Sequence, residues 1–123
     1  MKRLSAVFYL WLLAVLFLST YNFSNVEAPK NSDKIIHFII YFVTALITYV
    51  YFLKFIINRG LLVVASVIFA SFYGFLMECV QYFLPYRSFS LSDEVANTSG
   101  AVVFGIIILL SKKEGLYETW RKH

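Results

Sequence analysis

The chain has 123 residues, of which 60% are hydrophobic and only 15% charged, and its mean hydropathy is +0.73. These values lie outside the usual balance of a soluble domain, and the apolar residues fall in long blocks. The net charge of +4 does not indicate nucleic-acid binding, because the basic residues lie at the ends of these blocks and form no single patch. The sequence has no zinc-type cysteine pair and no glycine-rich phosphate loop, so we expect no metal and no cofactor. We predict an integral membrane protein whose first partner is the lipid bilayer.

The first apolar block runs from Leu4 to Thr20, behind two basic residues. As a helix it rises about 26 Å, slightly less than a hydrocarbon core of about 30 Å. A basic start followed by an apolar run is also typical of a secretory signal peptide, but no small-x-small cleavage site follows this run. We therefore predict an uncleaved membrane helix over residues 4–20.

Three further blocks cover residues 35–57, 61–84 and 95–110. The turn Asn58-Arg59-Gly60 between the second and third blocks is very short, so these two blocks should form an antiparallel helical hairpin. Pro85 ends the third block. The expected fold is an all-α bundle of four transmembrane helices that forms a single domain over residues 1–123.

The distribution of lysine and arginine predicts the orientation. One side of the membrane receives Lys2, Arg3, Lys54, Arg59, Lys112, Lys113, Arg121 and Lys122, whereas the other side receives only Lys30, Lys34 and Arg87. The richer side is expected to be cytoplasmic. Both termini should therefore lie in the cytoplasm.

Two series of small residues predict where the helices touch. Ser66, Ala70 and Gly74 form one stripe on the third helix, and Ala101 with Gly105 forms another on the fourth. Small side chains at this spacing allow close approach of membrane helices.

The outer side of the bundle should gather the polar residues that are candidates for binding a ligand, namely Asp33, Lys34, His37, Glu78, Gln81, Arg87, Asp93 and Asn97. Residues three or four apart share a helix face, so three helices can present these groups to one cavity. The sequence therefore predicts a polar cavity that faces outward.

Three of these residues, His37, Glu78 and Asp93, are the candidates for catalysis, and each also has a structural explanation. Glu78 lies about 9 Å inside the outer end of its helix by helical rise, where a charge is expensive, yet it could simply clamp helices together. His37 could act as an acid, a base or a metal ligand, or only form a hydrogen bond. Asp93 fits a capping box that begins at Ser90, and Asn97 could hydrogen-bond across to a neighbouring helix. Metal-dependent hydrolysis would rest on the three candidates alone.

Three segments together resemble the VanZ-like family of small bacterial multi-spanning membrane proteins. They are Asp33-Lys34-Ile35-Ile36-His37-Phe38 with Tyr41, the stretch from Tyr73-Gly74 to Glu78 and Gln81, and Arg87-Ser88-Phe89-Ser90-Leu91-Ser92-Asp93 with Asn97 and Gly100. The resemblance covers about residues 33–105 and leaves the first helix unmarked. It implies a multi-pass protein of the bacterial cytoplasmic membrane, in a family whose namesake is associated with low-level resistance to the glycopeptide teicoplanin.

Two hypotheses of function follow. In the first, the outward cavity binds or modifies an envelope lipid, a cell-wall precursor or a lipophilic glycopeptide, with Lys34 and Arg87 neutralising phosphate or carboxylate. In the second, the protein is a structural or accessory scaffold whose polar cluster only holds the helices together. The sequence predicts neither a substrate nor an oligomeric state.

Overall fold

The computed structural model describes residues 2–22, 32–86 and 88–111. These residues form four helices, α1 (Lys2–Thr20), α2 (Ser32–Phe52), α3 (Arg59–Tyr82) and α4 (Leu91–Leu110), and no strand. Each helix is long and apolar enough to cross a membrane. The expected all-α architecture of four membrane helices is confirmed.

The helices run alternately up and down. At one end, Lys54 Nζ after α2 donates to Ser5 Oγ near the start of α1 over 2.8 Å, and Arg59 at the start of α3 donates to the carbonyl of Ser111 after α4 over 3.0 Å. Arg59 also donates to the carbonyl of Ile108. A cation at the C-terminus of a helix satisfies its free carbonyls and complements its dipole.

The predicted helix boundaries differ from the structure at the end of α2 and at the starts of α3 and α4. α2 ends at Phe52 and not at residue 57, so residues 53–58 form the connection, and the predicted turn at residues 58–60 lies partly inside α3. α3 begins at Arg59 because the extended residue Asn58 is its N-cap, whose side chain accepts the N–H of Leu61 over 2.9 Å. α4 begins at Leu91, four residues before the prediction, because Ser90 caps it in the same way. At the starts of α3 and α4 a polar N-cap, and not the start of the apolar run, sets the boundary.

Helices α2, α3 and α4 pack closely on one another, and α1 lies against α2 and α3. The core of the three-helix unit contains fully buried Leu62 and, at 2% exposure, Phe104, whose ring meets Tyr49 edge-on at 5.8 Å. α1 buries only Phe8 and Val15. It leaves most of its apolar side chains exposed, as expected for a surface that lipid covers.

Glycines set the distance between the packed helices. A Cβ on Gly74 of α3 would lie 3.0 Å from the Cβ of Asn97 on α4 and from Tyr41 Cε1 on α2. A Cβ on Gly105 of α4 would lie 2.8 Å from Val67 of α3. Ser66 and Ala70, which share the stripe with Gly74, are fully buried. The predicted contact faces are therefore confirmed.

Candidate functional site

The polar residues converge at one end of the bundle, which is formed by the C-termini of α1 and α3 and the N-termini of α2 and α4. We refer to it as the polar end. Two hydrogen bonds attach α1 there, since Gln81 Nε2 donates to the carbonyl of Ser19 over 3.0 Å and the Tyr86 hydroxyl donates to the carbonyl of Thr20. The last turn of α1 thus becomes part of this end.

The start of α4 is capped from two directions. Ser90 Oγ accepts the N–H of Asp93 over 3.2 Å, as the predicted capping box requires. The N–H of Ser90 donates to Glu78 Oε2 of α3 over 3.2 Å, where a capping box would use the side chain at the position of Asp93. Glu78 of α3 therefore accepts the N–H that the Asp93 side chain would accept in a capping box. The carboxylate of Asp93 faces His37 instead.

His37, Glu78 and Asp93, which we call the trio, come together from α2, α3 and α4. One potential ligand atom from each lies within 4.8 Å of those of the other two. His37 Nε2 is 3.7 Å from Asp93 Oδ2, which is longer than a hydrogen bond. Glu78 is completely buried, whereas the side chains of His37 and Asp93 are 17% and 16% exposed. The trio therefore lies just beneath the surface of the polar end.

A hydrogen-bond chain fixes the orientation of the His37 ring. Its Nδ1 lies 2.8 Å from Asn97 Oδ1, and Asn97 Nδ2 donates to Glu94 Oε2 over 3.3 Å. Because a carboxylate oxygen accepts, the amide nitrogen of Asn97 must face Glu94 and its oxygen must face the histidine. Nδ1 of His37 consequently carries a proton and donates it. In the neutral ring, Nε2 then presents its lone pair towards Asp93.

Two carboxylate oxygens of this cluster have no hydrogen-bond partner among the described residues. Glu78 Oε1 and Asp93 Oδ1 are buried and have no hydrogen-bond partner there. Among the described residues of the polar end, lysine pairs with a carboxylate only where Lys34 meets Asp33, so no described lysine or arginine is paired with Glu78 or Asp93. Two carboxylates about 5 Å apart repel by about 3 kcal/mol at an effective dielectric constant of about 20. Such an arrangement favours a bound cation or a proton.

An open cleft adjoins the trio. It has a volume of about 520 Å³ and is lined by Asp33, Gln81, Pro85, Tyr86, Ser88, Ser90 and Asp93. Asp93 belongs both to the trio and to the wall of the cleft. Chemically, the arrangement offers an imidazole nitrogen and two carboxylates beside a space that a polar group can enter, which suits proton transfer or metal-ion binding.

The structure brings most of the sequence-predicted site residues together. His37, Glu78, Asp93 and Asn97 form one connected cluster, and Asp33 and Gln81 lie in the cleft wall. Lys34 stands apart: its Nζ is 3.9 Å from Asp33 Oδ2, and both side chains are well exposed. Arg87 lies outside the described residues, as do the basic residues predicted beyond α4 and before α2.

The sequence interpretation missed Glu94 as a site residue, because it assigned this residue to the loop before α4. Glu94 lies in the first turn of α4 and accepts from Asn97 and from Thr98, the latter over 3.1 Å. The sequence contained a signal for this role. Glu94 precedes Asn97 by three residues and Thr98 by four, and these spacings place side chains on the same face of a helix.

The four apolar helices and their shared polar end define a multi-pass membrane protein. The family described as VanZ/LLP1 matches residues 4–112, and the chain belongs to this family. The match includes α1, to which the sequence resemblance did not extend. The chain is also 31% identical, over 94% of its length and 68% of the relative's length, to the uncharacterized protein C11E3.10 of Schizosaccharomyces pombe. No solved structure matches the chain.

Proposed function

We propose that this protein works in the cell envelope, where its polar end faces away from the cytoplasm and binds or modifies the polar head of an amphiphile. The candidate ligands are an envelope lipid, a cell-wall precursor and a lipophilic glycopeptide such as teicoplanin. The observation that carries the proposal is the open cleft of about 520 Å³ beside the trio.

The position of the cleft supports an amphiphile as the ligand. Its wall is polar, yet the last residues of α3 and the following turn expose large aromatic rings, with Tyr82 at 66% and Phe83 at 81% exposure. Aromatic side chains commonly lie at the interface between membrane and water. A ligand at this place can keep its acyl chain in the bilayer while its head enters the cleft.

The proposed orientation rests on charge. Four of the described basic residues, Lys2, Arg3, Lys54 and Arg59, lie at the end of the bundle opposite the polar end, whereas Lys34 lies at the polar end. Lysine and arginine accumulate on the cytoplasmic side of membrane proteins. Under this proposal both termini are cytoplasmic and the cleft opens to the outside.

Blocking the cleft tests the proposal. Ser88 is exposed and lines the cleft, so Ser88→Trp should fill it without disturbing a helix. Leu91→Trp places the same side chain at a 70% exposed position that does not line the cleft. Native mass spectrometry of the purified proteins, with co-purified lipids and with added teicoplanin, should show a bound amphiphile in the wild type and in Leu91→Trp. The bound fraction should fall about tenfold in Ser88→Trp, and equal binding in both variants would contradict the proposal.

The scaffold hypothesis remains the alternative, and specific contacts favour it. The Glu78 carboxylate joins α3 to the start of α4, His37 and Asn97 join α2 to α4, and Gln81 joins α3 to α1. Hydrogen bonds of this kind stabilise membrane bundles. A scaffold, however, needs the hydrogen bonds of these side chains and not the negative charge of Glu78.

A further inference from the structure

The trio has the composition and the surroundings of a metal site. An imidazole nitrogen and two carboxylate oxygens, all within 4.8 Å of one another, are ligands that Zn²⁺ and Mn²⁺ accept. Four-coordinate Zn²⁺ with bonds of about 2.1 Å holds its ligand atoms about 3.4 Å apart. The distance of 3.7 Å between His37 Nε2 and Asp93 Oδ2 is close to this value. Within the trio the separations reach up to 4.8 Å, so binding an ion requires the ligand atoms to move about 1 Å closer together.

The hydrogen-bond chain behind His37 prepares the ring for coordination. Asn97 Oδ1 accepts from Nδ1, so the lone pair of the neutral ring lies on Nε2, the nitrogen nearer Asp93. Histidines that bind metals almost always donate their other N–H to such an outer partner. Glu94 holds the amide of Asn97 in the required orientation. The hydrogen-bond chain thus runs from His37 through Asn97 to Glu94.

Independent evidence for a ligand comes from unpaired oxygens. Glu78 is fully buried, and its Oε1 has no hydrogen-bond partner among the described residues; the same holds for Asp93 Oδ1. A buried carboxylate normally has its oxygens paired. With a neutral ring and no ion, a lone pair of His37 faces a carboxylate at a distance too long for a hydrogen bond. A divalent cation would satisfy the nitrogen and both carboxylates at once.

We infer that His37, Glu78 and Asp93 bind one divalent cation of the Zn²⁺ or Mn²⁺ type, with Asn97 as the residue that positions His37. Asp93 also lines the cleft, so the ion lies at the inner wall of the space assigned to the amphiphile head. There it can bind a phosphate or carboxylate of that head. This role of the ion rests on the proposed function, whereas binding of the ion itself does not.

The test uses full-length protein purified in detergent with a tag that contains no histidine. The protein is stripped with EDTA, loaded separately with Zn²⁺ and Mn²⁺, desalted and analysed for metal by inductively coupled plasma mass spectrometry. We expect one ion per chain for at least one of the two metals, and a melting temperature several degrees higher with that metal than with EDTA. Wild-type protein that is monodisperse but takes up neither metal overturns the inference, without reference to any variant.

Variants locate the ion. His37→Ala and Asp93→Asn should each abolish stoichiometric uptake, and Asn97→Ala should weaken the affinity about 10- to 100-fold. Glu118→Gln, which removes a carboxylate at a position that is neither in the trio nor among the named residues of the cleft wall, is the control for Asp93→Asn. His123→Ala, which removes the second histidine of the chain, is the control for His37→Ala. Full uptake by folded His37→Ala and Asp93→Asn would place the ion elsewhere and overturn the inference.

The two proposals fail separately. Loss of amphiphile binding in Ser88→Trp does not depend on metal uptake, which is measured without any ligand. If wild-type protein binds one ion but Ser88→Trp retains the amphiphile, the proposed function fails and the metal site stands. If wild-type protein takes up no metal but Ser88→Trp loses the amphiphile, the metal site fails and the cleft stands as a binding site.

Discussion

Gly100 is the position where the addition of a single methyl group should change the bundle most. Its Cβ would overlap the carbonyl oxygen of Phe38 on α2, and it would also lie 3.0 Å from the carbonyl carbon of Phe38 and 3.1 Å from the backbone nitrogen of Phe42. All of these atoms belong to the backbone, so no side chain can rotate out of the way. Gly100→Ala must therefore push α2 and α4 apart.

The expected magnitude follows from two opposing effects. Overpacking in a well-packed interior lowers stability by about 1–3 kcal/mol, while alanine gains up to about 1 kcal/mol over glycine in helix propensity. The net loss should be about 1–2 kcal/mol. Gly60 is the matched control, because its Cβ would meet only Asn58 Oδ1, at 3.4 Å. Gly60→Ala should leave stability unchanged or raise it slightly.

Thermal unfolding of both variants in the same detergent, followed by tryptophan fluorescence, measures the difference. A loss of this size should lower the melting temperature of Gly100→Ala by several degrees. Gly100 lies one turn after Asn97, and Phe38 adjoins His37, so the same variant should also bind metal more weakly. A melting temperature equal to or above that of Gly60→Ala would refute the close approach of α2 and α4 at this point.

Gly74→Leu should lower the melting temperature more than Gly74→Ala does, because the space beside Gly74 is already filled by α2 and α4; equal melting temperatures would remove the α3 stripe from the interface. Trp11→Phe should loosen α1, since it removes the hydrogen bond of 2.8 Å to a buried hydroxyl on α2, and faster protease cleavage of α1 with little change in the melting temperature of the remainder is the expected result. Cysteines at positions Ser24 and Ser88, in a background without Cys79, should react with a membrane-impermeant thiol reagent in intact cells. Labelling only after lysis would reverse the proposed orientation.

The number and type of the helices could be predicted from the sequence, because membrane spans leave a strong signal in hydropathy. Their ends could not be predicted equally well. Residues 53–57, beyond the end of α2, are apolar except for Lys54, and hydropathy alone does not separate helical from non-helical apolar residues. The N-caps Asn58 and Ser90 mark the starts of α3 and α4. The sequence indicated the capping box at Ser90, but the predicted helix boundaries followed the apolar runs and not the polar caps.

The sequence predicted which polar residues gather at one end of the bundle, but not which of their atoms contact one another. Helical spacing indicated that Asp93 and Asn97 share a face and that Glu78 lies inside the membrane. The contact of Glu78 with the Ser90 N–H and the pairing of His37 with Asn97 depend on how three helices pack, which no local pattern encodes. The roles of the predicted site residues and the single-domain organisation stay predictions.

Glu78 contributes to the fold and to the proposed site in different ways. As a hydrogen-bond acceptor it completes the cap of α4, and a glutamine can do the same through its amide oxygen. As a charged carboxylate it attracts a cation or a proton, and a glutamine cannot replace it in this role. The two roles can therefore be separated by one substitution.

Glu78→Gln is the most direct test of the claim that the polar end is a working site. In a strain where this gene changes sensitivity to teicoplanin or to another envelope stress, the variant should be present at the wild-type level and melt within a few degrees of it. The effect on sensitivity should nevertheless be lost, as it should in His37→Ala and Arg87→Ala. A stable Glu78→Gln protein that keeps the full effect on sensitivity would contradict the account, because the charge would then be dispensable and the scaffold hypothesis would explain the cluster.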